Sequence, residues 1–322
     1  MDEHRPQPGV DYPRTLQEFD VWFADEAGCR DYLVGIRWPQ GFVCPRCGSE
    51  EKPWTTGRGY LHCRVCQGEV SPTAGTLFER TRVPLRTWFL AIWFVTSQKH
   101  GASALGLQRV LGHGSYRTSW SWLHKLRRAM VRPGRDRLSG AVEVDETYWG
   151  APEPDVQGRE TDCKAIVAVA AERSGRGIGR IRLAHVPDVS AESLVSFVQD
   201  VVTPGAVIHT DGWRGYAPLS AADSGYVHKV TNLSQSVFTA HEAMPRVHRV
   251  ASLLKRWLLG THHGGIQPQH LDYYLDEYTF RFNRRSSGSR GLLFYRLVQH
   301  SVAIEPTTYQ QIVGGRNAKE SG

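Results

Sequence analysis

Four cysteines occur as two pairs, and their spacing implies a specific chemistry. Cys44 and Cys47 form the first pair, and Cys63 and Cys66 form the second after an interval of 15 residues. A gap of two residues lets one tight turn direct two thiolates at the same ion, and four thiolates make the closed tetrahedral site of a structural zinc. Two disulfides or free thiols are the alternative. Apart from His62, no histidine or carboxylate lies at ligand spacing, so groups that catalyse a reaction must be sought elsewhere.

Two aspartates occupy positions where strands often present metal ligands. Asp145 lies in the alternating segment VEVDETYWG and would share a strand face with Glu143, and Asp211 follows an apolar run at the C-terminal end of another predicted strand. Active sites of α/β proteins form at this end of the strands. Carboxylates there can hold Mg2+ or Mn2+, as one ion or as two ions about 4 Å apart, for phosphoryl transfer. A turn-forming role is the alternative for Asp211, because Gly212 follows it.

A third ligand is expected on a later helix. His248 and Lys255 are separated by two helical turns and therefore share one face. His248 is the predicted third ligand, and Lys255 is predicted to bind a phosphate. The alternative is that both belong to a basic face without a catalytic role. Other acids that could supply the third ligand are Glu242, Asp272, Asp276 and Glu277.

The elements that position these residues divide the chain into parts. Residues 1–40 are predicted to be helical, 41–75 to form the zinc ribbon, and 76–132 to contain a helix-turn-helix around the turn at 112–114. A helical hairpin in a core is the alternative for the last part. The start of the second helix would meet base edges and its end would meet phosphates. The candidate DNA-binding residues are Tyr116, Arg117, Ser119, Trp120, Arg127 and Arg128, with Lys255 and Arg256 on the later helix.

Residues 133–303 are predicted to form an α/β domain, and residues 304–322 a flexible tail. After the linker RPGRDRLSG, alternating and apolar runs predict five strands, with a helix after the third and further helices after the fifth. The predicted strands cover 141–150, 163–173, 179–188, 206–213 and 226–232, and the first helix covers 190–202.

Composition favours a nucleic-acid partner and disfavours a membrane protein. Lys and Arg outnumber Asp and Glu by 39 to 32, and the sequence pI is about 9.2. No apolar run reaches spanning length, and the polar N-terminus lacks the apolar core of a signal peptide. Zinc-binding thiols indicate a reducing compartment, so a cytoplasmic location is expected.

Six blocks of the chain, in order, resemble the insertion-sequence DDE transposases that carry an N-terminal zinc ribbon before a ribonuclease-H-like catalytic domain. The blocks are RWPQGFVCPRCGS, YRTSWSWLHKLRRAM, VEVDETYWG, HTDGWRGY, VHRVASLLKRWLLGTHHG and HLDYYLDEYTFRFNRR. The resemblance implies a multidomain fold: zinc ribbon and helix-turn-helix, then a ribonuclease-H-like mixed sheet flanked by helices. It covers roughly residues 15–300.

The resemblance also implies the site residues and the reaction. Asp145 and Asp211 match the first two acids of the family, His248 the third ligand, and Lys255 the downstream lysine. The third ligand is usually Glu, so His248 is a departure. The implied chemistry is cleavage at the element ends, followed by attack of the freed 3′-OH on target DNA with Mg2+ or Mn2+.

The implied partner is double-stranded DNA, bound by a homodimer or higher oligomer in the bacterial nucleoid region. Two other functions remain open from the sequence. One is a zinc-ribbon DNA-binding regulator that no longer cuts DNA, and the other is a nuclease without strand transfer.

Overall fold

The computed structural model describes residues 5–132, 134–151, 153, 161, 163–231 and 240–314. The chain divides into a first unit, made of residues 1–134 and 287–322, and a second unit, made of residues 135–286. Among the helices described, none is long and apolar enough to cross a membrane.

The first unit combines helices from both ends of the chain with a small antiparallel sheet. Its helices are α1 Leu16–Trp22, α2 Glu26–Arg37, α3 Leu85–Ser97, α4 Ala104–Leu111, α5 Tyr116–Ala129, α10 Arg290–Ala303 and α11 Tyr309–Val313. Its strands are β1 Trp54–Thr55, β2 Leu61–His62 and β3 Glu69–Val70, paired in that order. Ser103 caps α4, and Gly112 ends it in the left-handed conformation (φ 66°), as a glycine at this position permits.

Helix α10 belongs to the first unit because its side chains complete that unit's aromatic core. The ring of Phe294 lies 5.7 Å from those of Phe19 and Phe23 and 5.8 Å from that of Phe89, centroid to centroid. Edge contacts among such rings add to the hydrophobic gain of burial. The sequence analysis assigned residues 287–303 to the catalytic domain, and the structure places them in the first unit instead.

The segment after α10 is ordered by its own contacts up to residue 314. Thr308 and Gln311 form a capping box at the start of α11, and Ile312 is fully buried. The expectation of a flexible tail from residue 304 is therefore wrong for this stretch, because an apolar contact and a capped helix stabilise it. Residues 315–322 lie outside the described part.

The second unit is built on a five-stranded mixed sheet with helices on both faces. Its elements are β4 Ala141–Trp149, β5 Ala165–Ser174, β6 Gly177–Val186, α6 Ala191–Val201, β7 Val207–Asp211, β8 Val227–Thr231, α7 Ala240–Ala243, α8 Pro245–His262 and α9 Leu271–Asn283, with 3-10 turns at Arg214–Ser220 and Pro268–His270. The sheet order is β6-β5-β4-β7-β8, in which β4 is antiparallel to β5 and parallel to β7. The five strands match the five predicted from periodicity.

The alternation of side chains along the strands separates two cores in this unit. Val167 and Val169 point to one face, beneath α8 and α9, whereas Ala168 and Ala170 point to the other, beneath α6. Because β5 is covered on both sides, its sequence AIVAVAA is continuously apolar. Asp145 pairs with Val169 in the antiparallel ladder and so lies on the α8 face.

A buried carboxylate from β4 holds the first turn of α8. The helix has Pro245 at its first position, and Met244 supplies no capping side chain. Instead Glu143 accepts the backbone N–H groups of Arg246 (2.8 Å) and Val247 (3.2 Å), and it pairs with the Arg246 guanidinium at 2.8 Å. A carboxylate at a helix N-terminus satisfies free N–H groups and complements the helix dipole. The Arg246 guanidinium also donates to the carbonyls of Gly175 and Gly177, which ties α8 to the β5–β6 turn.

We expect Glu143→Ala to lower the free energy of unfolding of the second unit by about 3 kcal/mol, because it leaves the Arg246 guanidinium without a carboxylate and two backbone N–H groups without an acceptor. Urea denaturation followed by circular dichroism measures this change. The control is Asp136→Ala, which removes the exposed ion pair with Arg180 of the same unit and should cost under about 1 kcal/mol. Equal losses for the two variants would show that Glu143 is not an anchor.

Candidate functional site

Four cysteines of the first unit converge to form a site with zinc geometry. The Sγ atoms of Cys44 and Cys66 are 3.7 Å apart, as are those of Cys47 and Cys63, and all four lie within 4.8 Å of one another. A tetrahedron with Zn–S bonds of about 2.3 Å has edges of about 3.8 Å. A disulfide would bring two sulfurs to about 2.05 Å, so the disulfide alternative does not fit. The four cysteines are positioned to bind zinc.

The turns around the cysteines favour thiolate ligands. The Cys44 N–H donates to the Ser49 carbonyl, and Gly48, at φ 74°, supplies the left-handed residue of this turn. Burial acts against ionisation of Cys44, but the N–H groups of Arg46 and Cys47 and the thiols of Cys47 and Cys63 lower the pKa of its thiol, whereas the same thiol contacts raise the pKa of Cys47. A lowered pKa favours the metal-binding form.

His62 has another role than zinc ligation. It lies on β2, and its ring stacks on that of Trp54 at 4.6 Å. The histidine therefore packs against the outer strand of the ribbon sheet, and the set of ligands remains four thiolates.

In the second unit, the two predicted catalytic aspartates lie on neighbouring parallel strands. The ladder between β4 and β7 pairs Val142 with Ile208 and Glu143 with His209. Extending this register by two residues brings Asp145 beside Asp211. Side chains two residues apart on a strand share a face, so both carboxylates lie on the α8 face. This neighbourhood was predicted from the strand pattern, and the parallel register supplies its geometry.

His248 lies beside the first aspartate. Its Nδ1 is 3.7 Å from Oδ2 of Asp145, and the two side chains are 21% and 13% exposed. Asp211 is 8% exposed and accepts the backbone N–H of Trp213 at 3.0 Å. Within the described residues, only the cysteine cluster has three or more ligand atoms within 4.8 Å of one another. The two aspartates and His248 thus form a more open group than the cysteine site.

A buried tyrosine that the sequence analysis missed lies next to this group. The hydroxyl of Tyr216 donates to the Glu146 carboxylate at 3.0 Å, and its side chain is fully buried. Burial raises the pKa of Tyr216 well above its usual value, and the charges of Glu146, Asp145 and Asp211 raise it further. The charges of the three acids thus act on one buried hydroxyl, although Glu146, which pairs with Ala168, lies on the α6 face of β4 and Asp145 lies on the α8 face. The only signal in the sequence was the tyrosine that ends the block HTDGWRGY.

Two cationic side chains lie on α8 two turns after His248. Lys255 is half-buried, and its pKa is lowered by burial and then by the charge of Lys164. Arg256 is exposed. Both positions are compatible with phosphate binding.

The alternative acids for the third ligand lie in other surroundings. Asp272 accepts the His185 N–H of β6 at 3.1 Å, and Glu277 is buried in an ion pair with Arg281 at 2.8 Å. Helix α9, which carries them and the buried Asp276, packs against β6, two strands away from β4. Glu242 is exposed on α7. His248, by contrast, lies 3.7 Å from Asp145.

The candidate DNA contacts on α5 divide into exposed and buried positions. Tyr116 is 55% exposed, and Arg117 is exposed with its guanidinium over the Tyr309 ring. Ser119 is fully buried and shares a hydrogen bond with His113, and Arg127 is 2% exposed. The predicted base contact of Ser119 and phosphate contact of Arg127 do not fit, because buried side chains present no surface to DNA.

The two remaining candidates on α5 contact the C-terminal segment. The ring of Trp120 lies 6.3 Å from that of Tyr309, centroid to centroid. Arg128 donates a hydrogen bond to the Thr307 hydroxyl. Helical periodicity could not reveal these contacts, because they depend on residues far along the chain.

Zinc content tests the cysteine site. We expect purified protein to contain about one zinc per chain and Cys63→Ser to lose most of it, because a structural site needs all four ligands. Elemental analysis measures this. Cys163→Ser is the control, because Cys163 is exposed and lies outside the cluster. Full zinc content in Cys63→Ser would contradict the assignment.

A known protein domain matches each of the two units of the chain. The transposase zinc-ribbon domain matches residues 24–69, and the ISXO2-like transposase domain matches residues 137–283. The first match contains the four cysteines, and the second contains Asp145, Asp211 and His248.

The sequence similarity of this chain to two individual proteins is consistent with these family matches. The chain is 27% identical over 281 residues to an uncharacterized protein in transposable element ISH50 of Halobacterium salinarum, covering 80% of this chain and 91% of that protein. It is 26% identical over 117 residues to an uncharacterized transposase-like protein of Haemophilus influenzae, covering 36% of this chain and 92% of that protein.

Among solved structures, a chain of the simian T-cell lymphotropic virus intasome in complex with PP2A regulatory subunit B56 gamma aligns with 13% identity and a TM-score of 0.32. The alignment covers 63% of this chain and 74% of that one. A score at this level does not establish a shared fold. The two domain matches and their order, with the cysteine cluster in the first domain, identify the chain as a member of the insertion-sequence transposases that carry an N-terminal zinc ribbon.

Proposed function

We propose that this protein is the DNA transposase of an insertion sequence. It would bind the terminal inverted repeats, hydrolyse a phosphodiester at each element end to leave a 3′-OH, and join that 3′-OH to target DNA. The observation that carries this proposal is the placement of Asp145 and Asp211 on adjacent parallel strands, with His248 beside Asp145, inside the transposase domain.

We further propose that the second unit is ribonuclease-H-like. In chain order, its strands occupy the sheet as third, second, first, fourth and fifth, with the first three antiparallel and the last two parallel to the first. This topology brings the first and fourth strands together, and these strands carry the two aspartates. The sheet order thus supports both the fold and the site.

The donor set fits a hard divalent cation. Two carboxylates on one face of the sheet suit Mg2+ or Mn2+, and imidazole is a weaker partner for such ions. Asp145 and Asp211 would hold the ion, with His248 as the third ligand. When bound, the cation would activate the nucleophile and stabilise the leaving oxygen.

The protein's own residues would orient this group. Glu143 holds the first turn of α8, which sets His248 against Asp145. The N–H of Trp213 fixes one oxygen of Asp211, and Tyr216 holds the Glu146 carboxylate on the α6 side of β4. Lys255 and Arg256 would contact phosphates of the DNA strand.

Recognition of the element ends is proposed for the first unit. The zinc ribbon and the α4–α5 pair, acting as a helix-turn-helix, would read the terminal repeats through the exposed start of α5. Both ends must be cut in one complex, so a dimer or higher oligomer is expected on DNA in the bacterial cytoplasm.

The first unit includes α10, so a fragment that ends near residue 132 would lack Phe294 and with it part of the aromatic core of that unit.

The exposed start of α5 provides a test of recognition. We expect the variant Tyr116→Ala with Arg117→Gln to bind element-end DNA about tenfold or more weakly, because each base contact contributes about 1–3 kcal/mol. Binding to unrelated duplex DNA should fall less. Arg80→Gln, which removes a 92% exposed guanidinium of the same unit, is the control. Competition gel-shift assays measure both affinities, and equal losses on the two DNAs would contradict specific recognition.

The catalytic group is tested by substitution of its ligands. We expect Asp145→Asn and Asp211→Asn each to reduce cleavage of supercoiled plasmid carrying the element ends by about a thousandfold or more with Mn2+, because metal stabilisation of the transition state is worth several kcal/mol. Binding to the ends should remain near the wild-type level. Asp223→Asn, at an exposed acid of the same unit, is the control and should cleave normally.

His248 needs a separate pair of variants. We expect His248→Ala to reduce cleavage strongly and His248→Glu to retain part of it, because glutamate can replace imidazole as a ligand but cannot replace it as a DNA-facing group. Normal cleavage by His248→Ala would move the third ligand to another acid.

The assay also separates the proposed function from its alternatives. Cleaved plasmid without joined product would indicate a nuclease. Specific end binding without any cleavage by the wild type would indicate a regulator.

A further inference from the structure

Three side chains form a hydrogen-bonded path from the protein surface to the backbone of Asp211. The path begins at the exposed Ser220, which ends the 3-10 turn after β7, and continues through the half-buried His228 of β8. The Ser220 Oγ lies 2.6 Å from Nδ1 of His228, and Nε2 of His228 lies 2.8 Å from Oγ1 of Thr210. The fully buried Thr210 hydroxyl then donates to the Asp211 carbonyl oxygen at 2.8 Å.

The inner end of the path fixes the direction of every hydrogen bond in it. A carbonyl oxygen can only accept, so the Thr210 hydroxyl donates to Asp211 and accepts from His228. His228 therefore carries its proton on Nε2, and its Nδ1 accepts the hydroxyl proton of Ser220. A neutral ring is consistent with its surroundings, because burial lowers the pKa of His228.

This path lies on the face of the sheet opposite to the Asp211 carboxylate. The β7–β8 ladder pairs His228 with Ile208, which belongs to the core beneath α6. Thr210 follows Ile208 by two residues, so it shares this face and meets His228 as a diagonal neighbour across the ladder. The Asp211 side chain points to the α8 face. The path can therefore act on the carboxylate only through the backbone of Asp211.

The backbone at Asp211 needs such a support because a glycine follows it. Gly212 tolerates a wide range of backbone angles, so the peptide group between Asp211 and Gly212 can rotate at little steric cost. The turn over this peptide group is closed by the Trp213 N–H, which donates to Oδ1 of Asp211 at 3.0 Å. Rotation of the peptide group would break this contact, and the Thr210 hydroxyl opposes the rotation by holding the carbonyl oxygen.

We propose that Thr210, oriented by His228 and Ser220, is a positioning residue that fixes the peptide group after Asp211 and with it the direction of the Asp211 carboxylate. The effect on the reaction rests on the proposed function, in which Asp211 holds Mg2+ or Mn2+. Thr210 and His228 contact neither the cation nor the DNA, because they lie on the other face of the sheet.

The chain offers variants that separate the hydroxyl group from the shape of the side chain. Thr210→Val keeps nearly the same shape and removes the hydroxyl, whereas Thr210→Ser retains it. His228→Leu removes the N–H that Thr210 accepts, and His228→Gln supplies an amide N–H at about the same reach. Thr203→Val is the matched control, because the Thr203 hydroxyl also donates to a backbone carbonyl, that of Leu138 at 3.0 Å, but lies before the start of β7.

The first measurement is Mn2+ binding by the full zinc-loaded chain without DNA, followed by the electron paramagnetic resonance signal of free Mn2+. The relevant site is the one lost in Asp211→Asn. We expect Thr210→Val to bind Mn2+ about tenfold more weakly, because groups that orient a metal ligand typically change metal affinity by about 10–100-fold. Thr210→Ser and Thr203→Val should bind like the wild type. Wild-type affinity in Thr210→Val would overturn the proposal.

His228 is tested in the same Mn2+ titration. We expect His228→Leu to weaken binding and His228→Gln to restore most of it. The double variant of His228→Leu with Thr210→Val should bind no more weakly than Thr210→Val alone, because both changes interrupt one path. Additive losses would show that His228 does not act through Thr210.

The second measurement is independent of metal and uses hydrogen exchange of the Trp213 amide in chain labelled with 15N-tryptophan. We expect this amide to exchange about tenfold faster in Thr210→Val, because local opening of the turn becomes easier. Exchange should be unchanged in Thr210→Ser and Thr203→Val. Equal acceleration at Trp149 and Trp257 of the same unit would show a general loss of stability and overturn the positioning role.

Together the two measurements separate this inference from the proposed function. A wild type that binds no Mn2+ at Asp211 and never cleaves, while Trp213 exchange still depends on the Thr210 hydroxyl, would contradict the proposed function and support the positioning role. A wild type that cleaves normally, with Thr210→Val indistinguishable from Thr203→Val in both measurements, would support the proposed function and overturn the positioning role. Thermal melting of each variant checks folding.

Discussion

The contact between Glu143 and the first turn of α8 is the interaction on which the candidate site depends. A carboxylate on β4 accepts two N–H groups of the helix and pairs with Arg246, and all of these groups are largely removed from water. Asp145 follows Glu143 by two residues on the strand, and His248 follows Arg246 by two residues on the helix. One anchored contact therefore sets the distance between an acid of the sheet and an imidazole of the helix. Since a buried carboxylate is costly without partners, this arrangement strongly disfavours a shifted helix.

The parallel pairing of β4 with β7 is the second constraint. It brings together two aspartates that are distant in the chain, because extending the register from Glu143 and His209 by two residues places Asp145 beside Asp211. Two carboxylates on one face of the sheet agree with the metal-dependent phosphoryl transfer proposed for this unit.

The first unit depends on a different kind of interaction. Its helices bury an aromatic cluster to which the C-terminal helix α10 contributes Phe294. The unit therefore requires both ends of the chain. The segment after α10 also contacts α5, since Arg128 bonds to Thr307 and Trp120 lies near Tyr309. These contacts leave only the start of α5 exposed for recognition.

The sequence by itself determined the elements and the chemistry that depends on local spacing. The paired cysteines predicted the zinc site, because two residues between ligands define one turn, and the period of apolar residues predicted the five strands. The same periodicity placed Asp145 and Asp211 on strands. Only the tertiary structure decided which distant groups meet. It placed α10 in the first unit, buried Ser119 and Arg127, set Tyr216 against Glu146 and made Glu143 the anchor of α8. The physical reason is that periodicity reports which face of an element is apolar, whereas the partner of that face is chosen by packing against residues far away in the chain.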